Sequence, residues 1–464
     1  MNIIQAIDDA QVFAPWFQRG DWTAWRAFLC GLFGLPMDPA AAALYRQHTG
    51  RKTLPATPFN EAALIIGRRG GKSFVMALVA VFLAVFKDYR PHLQPGERAT
   101  VLVIAADRKQ CRVILRYVAA LIEGIPMLAN LIERQSTESI DLKRSVTIEV
   151  CTASFRAVRG YTIAACLCDE IAFWRTDEGS ANPDSEILAA IRPAMATIPD
   201  AMLLIASSPY ARRGELWRAY REHHGKEDAP VMVWQAGTKV MNPSIPIKVI
   251  TDAYARDPAS AAAEYGAEFR KDIEGFVARE IVEACVSPGV YERGYLSGSK
   301  YFGFCDPSGG SVDSMTMSIG HAEGKVVIVD CVREMPAPFN PEAVTVEFAD
   351  TFKSYGIKRI EGDRYAGEWP REAFSRHGIT YEPSAKPKSD LYRYLLPKLA
   401  SGEVDLIDNA RLITQLCGLE RRTARGGRDS IDHAPGAHDD VCNAVAGLVG
   451  MLGTKRSAYT LNNL

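Results

Sequence analysis

The stretch Ala62-Ala63-Leu64-Ile65-Ile66-Gly67-Arg68-Arg69-Gly70-Gly71-Lys72-Ser73, followed by the apolar run 74–86, decides the fold of this chain. It has the order of a buried strand, a glycine-rich turn ending in Gly-Lys-Ser, and a helix. Glycines let backbone N–H groups approach phosphate oxygens closely, and the helix N-terminus adds the positive end of its dipole. The sequence therefore predicts a phosphate-binding loop, in which Lys72 reaches the outer phosphates and the Ser73 hydroxyl ligates Mg²⁺.

The loop departs from the usual spacing in one respect. The first glycine of the common pattern would stand at Ile66, whereas here Gly67 opens a loop one residue tighter, with Arg68 and Arg69 inside it. A glycine turn between any strand and helix is the alternative. The position of Gly-Lys-Ser at the strand-to-helix junction favours the phosphate loop.

Composition places the chain among soluble globular proteins of two or three domains. Of its 464 residues 47% are hydrophobic and 23% are charged, and 54 basic side chains nearly balance 55 acidic ones. A nucleic-acid surface would therefore be a local patch. The ten cysteines form no CxxC repeat and are expected to be buried free thiols. The first nine residues lack the features of a secretory signal, and the run 74–86 is too short to span a membrane.

Strands and helices alternate from Glu61 onward, which favours a parallel α/β sheet in a first domain of residues 58–286. Residues 1–57 precede it as a helical lead-in. The predicted strands are Ala62–Ile66, Thr100–Ala105, Val146–Cys151, Ala164–Cys168, Met202–Ala206 and Val231–Gln235. The predicted helices include 108–123, 214–224 and a long helical region that runs through 265–269.

A turn-rich segment at residues 287–298 is expected to link this domain to a second one, residues 299–464. The order of elements changes there. We expect a strand at 301–305, a hairpin of 315–319 with 326–332, a helix at 341–355, a strand at 359–361 and a last helix at 440–451. This order predicts a mixed sheet with flanking helices.

Two adjacent carboxylates, Asp169 and Glu170, end the apolar strand before them. Asp169 can hold the water shell of Mg²⁺, and Glu170 can orient and deprotonate an attacking water. An acidic turn on the surface is the alternative. The presence of a phosphate loop at this separation upstream favours the catalytic interpretation.

A further buried strand ends in Ser207 and Ser208 and is expected to lie beside the other two in the sheet. Either hydroxyl could sense the γ-phosphate or the attacking water and pass its loss to the rest of the fold. A capping turn before Gly214 explains the same residues, and the sequence leaves both interpretations open.

Carboxylates also fall at element ends after residue 300. Asp306 and Asp363 end two predicted strands, and Asp439 with Asp440 opens the last helix. If the strands are neighbours and the helix packs across them, these groups converge into a site for two Mg²⁺ or Mn²⁺ ions that clamp a phosphodiester. Turn or N-cap roles are the alternative for each residue alone. Asp313 is a weaker further candidate.

These motifs together resemble the large subunit of tailed-phage terminases, in which a RecA/ASCE-like P-loop ATPase domain precedes an RNase H-like nuclease domain with a mixed sheet. The resemblance covers residues 45–452. It is carried by residues that look like the Walker A, Walker B, coupling and three nuclease motifs of that family: Gly67, Arg68, Arg69, Gly70, Gly71, Lys72 and Ser73, then Asp169 and Glu170, then Ser207 and Ser208, then Asp306, Asp363 and Asp440.

The resemblance implies an α/β chain that hydrolyses ATP with Mg²⁺, moves double-stranded DNA into a procapsid and cuts concatemeric DNA with two Mg²⁺ or Mn²⁺ ions. It places the third nuclease carboxylate on Asp440, with Asp439 as the alternative in the same motif. It also implies a small terminase subunit and the portal protein as partners, a homo-oligomeric ring on the portal, no membrane, and a location in the host cell cytoplasm.

Several arginines complete the predicted sites. Arg68 matches the arginine inside the family's Walker A loop and can act on its own subunit's nucleotide, whereas Arg159 is a candidate arginine finger toward a neighbouring subunit. An ion pair or a plain surface charge is the alternative for Arg159. The predicted hairpin around 421–428 carries the candidate DNA contacts, with a solvated charge run as the alternative. These contacts are Arg421, Arg422, Arg425 and Arg428.

Two other functions fit parts of this pattern. A helicase-nuclease of DNA repair would share both chemistries and act on opened strands. A decayed prophage protein that only binds DNA would need neither, and the intact Lys72, Glu170 and aspartates argue against it.

Overall fold

The computed structural model describes residues 1–153, 160–174, 183–363, 368–422, 429–434 and 437–461. These residues form two compact units, the first made of residues 1–174 and 183–271 and the second of residues 272–461. The division falls between Lys271 and Asp272, so the predicted linker at 287–298 lies inside the second unit.

An eight-stranded sheet is the centre of the first unit. Its strands are β1 (Glu61–Ile66), β2 (Ala99–Ala105), β3 (Ile132–Gln135), β4 (Ser139–Leu142), β5 (Val146–Thr152), β6 (Thr162–Asp169), β7 (Met202–Ser207) and β8 (Val231–Ala236), in the order β3-β4-β5-β2-β6-β7-β1-β8. The run from β5 to β8 is parallel, as predicted, and β3 and β4 add an antiparallel edge that the sequence analysis missed. The strand ending in Ser207 lies between β1 and β6, also as predicted.

Helices cover this sheet. They are α1 (Ile3–Asp8), α2 (Ala14–Phe17), α3 (Thr23–Leu32), α4 (Pro39–Thr49), α5 (Lys72–Phe86), α6 (Arg108–Glu123), α7 (Pro126–Ala129), α8 (Pro183–Met195), α9 (Gly214–His223), α10 (Thr238–Met241), α11 (Ile247–Arg256) and α12 (Pro258–Glu264). The lead-in is helical as expected. The helical region predicted to run through 265–269 instead ends at Glu264, because Ala267 adopts a left-handed backbone with φ of 60° that a helix cannot contain.

Alternate side chains of each central strand face opposite layers of core. In β1, Leu64 and Ile66 belong to the core on one face of the sheet, whereas Ala63 and Ile65 belong to the core on the other. A strand buried on both faces reads as a continuous apolar run, which is why the stretch before Gly67 was recognisable. The carboxyl ends of β1, β6 and β7 meet at one edge, where the first candidate site lies.

The second unit has a seven-stranded mixed sheet and a three-stranded one. The strands are β9 (Ile273–Gly275), β10 (Val286–Ser287), β11 (Phe302–Asp306), β12 (Met315–Glu323), β13 (Val326–Met335), β14 (Arg359–Gly362), β15 (Thr380–Pro383), β16 (Val404–Ile407), β17 (Leu419–Arg422) and β18 (Ser430–His433). The helices are α13 (Arg279–Glu283), α14 (Pro341–Ser354), α15 (Trp369–Arg376), α16 (Lys388–Ala400), α17 (Ala410–Gly418) and α18 (Asp440–Leu461). The orders are β10-β16-β13-β12-β11-β14-β15 and β18-β17-β9.

Strand pairing explains both the mixed sheet and the position of the boundary. β12 pairs antiparallel with β11 and β13, whereas β14 is parallel to β11 and β15, so the predicted fold class, a P-loop α/β unit followed by an RNase H-like unit with a mixed sheet, is confirmed. β9 pairs with β17, and β10 pairs with β16. These long-range pairings tie residues 273–287 to the second unit, which local sequence patterns do not reveal.

The last helix, α18, packs across the strands that carry the second candidate site. The Thr316 hydroxyl in β12 donates to the Asp440 carbonyl oxygen at 2.7 Å, and the Ser318 hydroxyl donates to that of Ala444 at 2.7 Å. A Cβ at Gly447 would lie 2.4 Å from the Phe304 ring, so only glycine allows this close approach to β11. The start of the helix is therefore held over the end of β11.

Within the described residues, no helix is both long enough and apolar enough to cross a membrane. All ten cysteines are free thiols, and most of them are buried, as the composition predicted.

Candidate active sites

The glycine-rich loop between β1 and α5 has the backbone that its glycines permit. Gly71, with φ of 98°, is the residue before the helix, so Lys72 is the first helical residue. A Cβ at Gly67 would lie 2.3 Å from the Thr238 hydroxyl, which leaves room for glycine alone. Arg69 also adopts a left-handed φ, of 65°, a conformation that costs a non-glycine residue free energy. The loop therefore joins a strand to a helix, as predicted, through backbone conformations that favour glycine.

Side chains from distant elements hold this loop by its carbonyl groups. The Trp25 indole N–H in α3 donates to the Gly70 carbonyl oxygen at 2.9 Å. The Thr238 hydroxyl donates to that of Arg68 at 2.8 Å, and the Asn242 amide donates to that of Arg69 at 2.9 Å. No local sequence motif marks these supports, so they were not among the predicted site residues.

The ammonium group of Lys72 is buried among oxygens at the edge of the sheet. The Lys72 side chain is 5% exposed and donates to the Ser208 hydroxyl at 3.0 Å and to the Ile66 carbonyl oxygen at 3.2 Å. Its Nζ atom also lies 3.3 Å from Glu170 Oε1. The three predicted motifs of this site, from β1, β6 and β7, therefore meet on one ammonium group.

Asp169 and Ser73 supply neighbouring oxygen atoms. The Ser73 hydroxyl donates to Asp169 Oδ2 at 2.8 Å, and Asp169 Oδ1 is buried and accepts no hydrogen bond among the described residues. Burial, reinforced by the charge of Glu170, raises the pKa of Asp169 to about 6. A buried carboxylate with an unsatisfied oxygen beside a serine hydroxyl fits a hard divalent cation such as Mg²⁺.

Glu170 combines a strained backbone with a side chain that is bound at the end of β7. Its backbone is left-handed, with φ of 51°. Its Oε2 atom accepts the Ser207 hydroxyl at 2.9 Å and the Ser208 backbone N–H at 3.2 Å. Both predicted coupling serines therefore contact the network of the predicted water-activating carboxylate, rather than serving only as a helix cap.

Of the two arginines predicted to act on a nucleotide, the structure describes one. The Arg68 guanidinium is 65% exposed and pairs with Glu264 at 2.9 Å, a hydrogen bond that raises the pKa of Arg68. Arg159 lies outside the described residues.

In the second unit, strand register brings two predicted carboxylates side by side. Cys305 of β11 pairs with Gly362 of β14, so Asp306 and Asp363 follow at adjacent positions. The Asp363 backbone N–H donates to the Cys305 carbonyl oxygen at 3.1 Å. Burial raises the pKa of Asp306 well above its ordinary value, and the charges of Asp363 and Asp440 add to this shift.

The structure distinguishes the two aspartates at the start of α18. Asp439 Oδ2 accepts the Tyr392 hydroxyl at 2.8 Å and lies 3.0 Å from Lys388 Nζ. Asp440 Oδ2 is buried and accepts no hydrogen bond in the described part of the chain, and burial raises the pKa of Asp440 to about 6. Of the two, Asp440 thus has the buried carboxylate oxygen that no hydrogen-bond donor satisfies.

A cavity of about 620 Å³ contains all of these carboxylates. Its lining includes Asp306, Asp313, Asp363, Trp369, Lys388, Asp432, His433, His438, Asp439, Asp440 and Asn443. The exposed Asp313 lies 3.7 Å from His438 Nδ1, which is 4.0 Å from Asp440 Oδ2. The predicted aspartates therefore share one cavity.

The tightest cluster of ligand atoms in this cavity is not the predicted set. Among the described residues, the only group of three or more His, Cys, Asp or Glu side chains whose ligand atoms all lie within 4.8 Å of one another is Asp432, His433 and Asp439. The Lys388 ammonium already lies 2.7 Å from Asp432 and 3.0 Å from Asp439, so this cluster has its own cation. The ligand atoms of Asp306, Asp363 and Asp440 therefore do not all lie within 4.8 Å of one another, so they are more widely spaced than the ligands of a single-ion site.

The predicted basic hairpin is present as β17 and β18, which pair antiparallel. Arg421 forms an ion pair with Asp429, and Arg422 lies 3.2 Å from the fully buried Glu420. Arg425 and Arg428, in the connection between the strands, lie outside the described residues.

No family profile matches the sequence, and no curated protein matches it. Solved structures do match. The large terminase of bacteriophage HK97 is 15% identical, with a TM-score of 0.40 over 92% of this chain and 99% of that chain. The large terminase of a thermophilic bacteriophage, in complex with ATP-γ-S, is 11% identical, with a TM-score of 0.38 over 93% of this chain and 99% of that chain.

A third structure is similar to part of the chain. The large terminase nuclease of the thermophilic phage G20c with bound magnesium is 17% identical, with a TM-score of 0.33 over 37% of this chain and 94% of that chain. These solved structures are all phage large terminases, the family that the sequence motifs resemble.

Proposed function

We propose that the chain is the large subunit of a tailed-phage terminase, which hydrolyses ATP to move double-stranded DNA into a procapsid and cuts concatemeric DNA. The observation that carries this proposal is the pair of acidic sites in one chain. One joins Lys72, Glu170 and Ser208 at a glycine-rich loop. The other places Asp306 beside Asp363 in a cavity. A protein that both moves and cuts DNA needs both chemistries.

In the first unit, the backbone N–H groups of residues 67–73 would hold the phosphates of ATP, with Lys72 against the outer ones. Ser73 and Asp169 would hold Mg²⁺, which neutralises charge on the phosphate oxygens when bound. Glu170 would orient and deprotonate the attacking water. Since Lys72 now contacts Glu170, phosphates that attract Lys72 would loosen that contact and free the carboxylate.

Ser207 and Ser208 would report the state of the nucleotide. Both contact Glu170 or Lys72, and both lie at the end of β7, the strand between β1 and β6. A shift of either charged group on ATP binding or hydrolysis would therefore move the end of β7. Arg68 would act on the same nucleotide after leaving Glu264, and Arg159 would act on that of a neighbouring subunit.

In the second unit, we assign Asp306, Asp363 and Asp440 to two Mg²⁺ or Mn²⁺ ions. The unsatisfied oxygen of Asp440 and the raised pKa of Asp306 both indicate negative charge that a cation would stabilise. Bound cations of this kind activate water and stabilise the charge on a phosphodiester. Asp439 would hold Lys388 and Tyr392 in place, and Asp313 would act through His438.

The proposed function includes a setting in which both sites work. Large terminase subunits of this kind would assemble as a homo-oligomeric ring on the portal protein, receive DNA from a small terminase subunit, and act in the host cell cytoplasm. Arg425 and Arg428 would neutralise phosphates of the DNA backbone, whereas Arg421 and Arg422, which already form ion pairs within the chain, would contribute little.

Two assays of the full chain test this proposal. A gel of linear and circular double-stranded DNA measures cutting, and phosphate release measures ATP hydrolysis. We expect cutting with Mn²⁺ in the absence of ATP, and ATP hydrolysis with Mg²⁺ that DNA stimulates. Strand displacement on forked DNA, without packaging-type cutting of intact duplexes, would instead indicate a helicase-nuclease. No hydrolysis and no cutting by folded protein would leave only a DNA-binding role.

A further inference from the structure

Asn443 joins the two strand carboxylates of the second unit through one side-chain amide. It lies in α18, one turn after Asp440, and is 2% exposed. Its Nδ2 atom donates to Asp306 Oδ2 at 2.7 Å and to Asp363 Oδ2 at 3.2 Å. An amide nitrogen carries two hydrogens, so one group can serve both acceptors. No sequence motif singled out this residue.

The orientation of the amide follows from its surroundings. Turning it over would direct Oδ1 at two acidic groups, which accept hydrogen bonds when ionised and repel another acceptor. With the nitrogen directed at the carboxylates, Oδ1 is buried and accepts no hydrogen bond among the described residues. A buried acceptor without a donor destabilises the folded state. The orientation is therefore set by the donation to both acids and not by a partner for this oxygen.

We propose that Asn443 is a positioning residue of the metal site. Its amide fixes the side-chain orientations of Asp306 and Asp363 before a cation binds. The carboxylates come from different strands, and their like charges repel across the cavity. The amide bridges them without adding a positive charge that would compete with a cation. It also engages Oδ2 of each group and so fixes their rotation. This inference rests on the proposed nuclease site.

Gln415 offers a matched control from the same part of the fold. It is another buried amide, 7% exposed, and its Oε1 atom accepts the Cys442 backbone N–H in the first turn of α18 at 3.0 Å. Its hydrogen bond supports the same helix but not the aspartates. Gln415→Ala therefore reports how far a disturbed helix start alone affects the site.

The test is a titration of the metal-free full chain with Mn²⁺, followed by calorimetry, without DNA. We expect Asn443→Ala and the similarly sized Asn443→Leu to weaken Mn²⁺ binding by about 10–100-fold, the usual effect of losing a group that orients metal ligands. Gln415→Ala should bind Mn²⁺ as the unmodified chain does. Thermal melting of each variant checks that it is folded.

The outcomes separate this inference from the proposed function. Wild-type Mn²⁺ affinity in both Asn443 variants would overturn the positioning role while leaving the metal site intact. An equal loss in Gln415→Ala would also overturn it, because the effect would then be that of the helix. An unmodified chain that binds no Mn²⁺, or binds it equally well after Asp306→Asn, would overturn the metal site and the inference together.

Discussion

The two candidate sites balance their negative charge in different ways. In the first unit, the Lys72 ammonium lies 3.3 Å from Glu170 and donates to Ser208, so a cation of the chain itself is built into the acidic edge of the sheet. In the second unit, the group that bridges Asp306 and Asp363 is the uncharged amide of Asn443. A buried charge costs free energy unless a partner compensates it. The first site therefore has its countercharge before any ligand binds, whereas the second depends on an added cation.

This difference suggests different behaviour toward ligands. Nucleotide phosphates at the first site would have to compete with Glu170 for Lys72, which would make the bound nucleotide a switch for the proposed water-activating carboxylate. At the second site, the unsatisfied oxygen of Asp440 and the raised pKa of Asp306 mean that a divalent cation relieves an existing cost. Cation binding there should stabilise the fold as well as enable chemistry.

The largest expected effect is the complete separation of the two activities. Lys72→Ala or Glu170→Gln should lower ATP hydrolysis by at least about 10²-fold, because each removes a group that acts on the transferring phosphate or the water. Mn²⁺-dependent cutting should persist in both variants. Asp306→Asn, Asp363→Asn and Asp440→Asn should each do the reverse.

Parallel ATPase and plasmid-cutting assays on the same preparations measure this. Asp350→Asn, an exposed carboxylate that does not line the cavity, is the matched control for charge and should retain both activities. Loss of both activities in a folded Glu170→Gln protein would break the comparison between two independent sites.

The next effect separates Asp440 from Asp439. Asp440→Asn should reduce cutting by about 10²-fold or more, since it removes a proposed metal ligand. Asp439→Asn should cost about 10-fold, the lower end of the usual effect of losing a residue that orients metal ligands, because its oxygen is engaged by Tyr392 and Lys388. Initial cutting rates at saturating Mn²⁺ measure both. Full activity in Asp440→Asn with none in Asp439→Asn would move the ligand by one residue.

Thermal stability should respond with opposite signs at the two sites. Lys72→Met leaves buried oxygens without their donor and should destabilise the protein by about 1–3 kcal/mol. Asp306→Asn removes a carboxyl whose pKa is raised by burial, and should therefore raise the melting temperature of the metal-free protein at neutral pH.

Melting curves in a chelator and in Mn²⁺ test these signs. Mn²⁺ at about 100 times its dissociation constant should stabilise the unmodified chain by about 2.7 kcal/mol, and Asp306→Asn should lose most of that gain. A metal-free Asp306→Asn protein that melts lower than the unmodified chain would show that the site is already compensated.

Sequence reasoning found the residues that follow strands and missed those that reach the sites through packing. Asp169 and Asp306 stand at the ends of apolar strands, and Lys72 follows β1 through the glycine-rich loop. Parallel neighbours bring such strand ends to one edge of a sheet. Asn443 lies inside a helix, where an isolated amide gives no signal. Its role depends on how α18 crosses β11 and β14, a tertiary contact that no local pattern encodes.

The boundary between the two units and the cluster of Asp432, His433 and Asp439 show the same limit of sequence-based prediction. Residues 273–287 belong to the second unit because they pair with strands more than a hundred positions later, which local composition does not show. Lys388 compensates Asp432 and Asp439 from the start of α16. Whether an acidic group is free for a ligand depends on such partners, and they become visible only in the folded chain.

The smallest expected effect applies the same idea to DNA binding. Arg421 and Arg422 already pair with Asp429 and Glu420, so exchanging these partners for DNA phosphates gains little free energy. Each phosphate that a protein neutralises contributes about 0.9 to the slope of log K against log salt concentration. The Arg421→Gln, Arg422→Gln double variant should therefore change this slope by less than about 0.5, whereas neutralising Arg425 and Arg428 should lower it by about 1–2.

Fluorescence anisotropy with duplexes of two unrelated sequences, from low to moderate salt, measures both slopes. A drop near 2 in the first variant would mean that internal pairing does not keep these arginines from DNA, and would weaken the inference that compensated charges are unavailable to ligands.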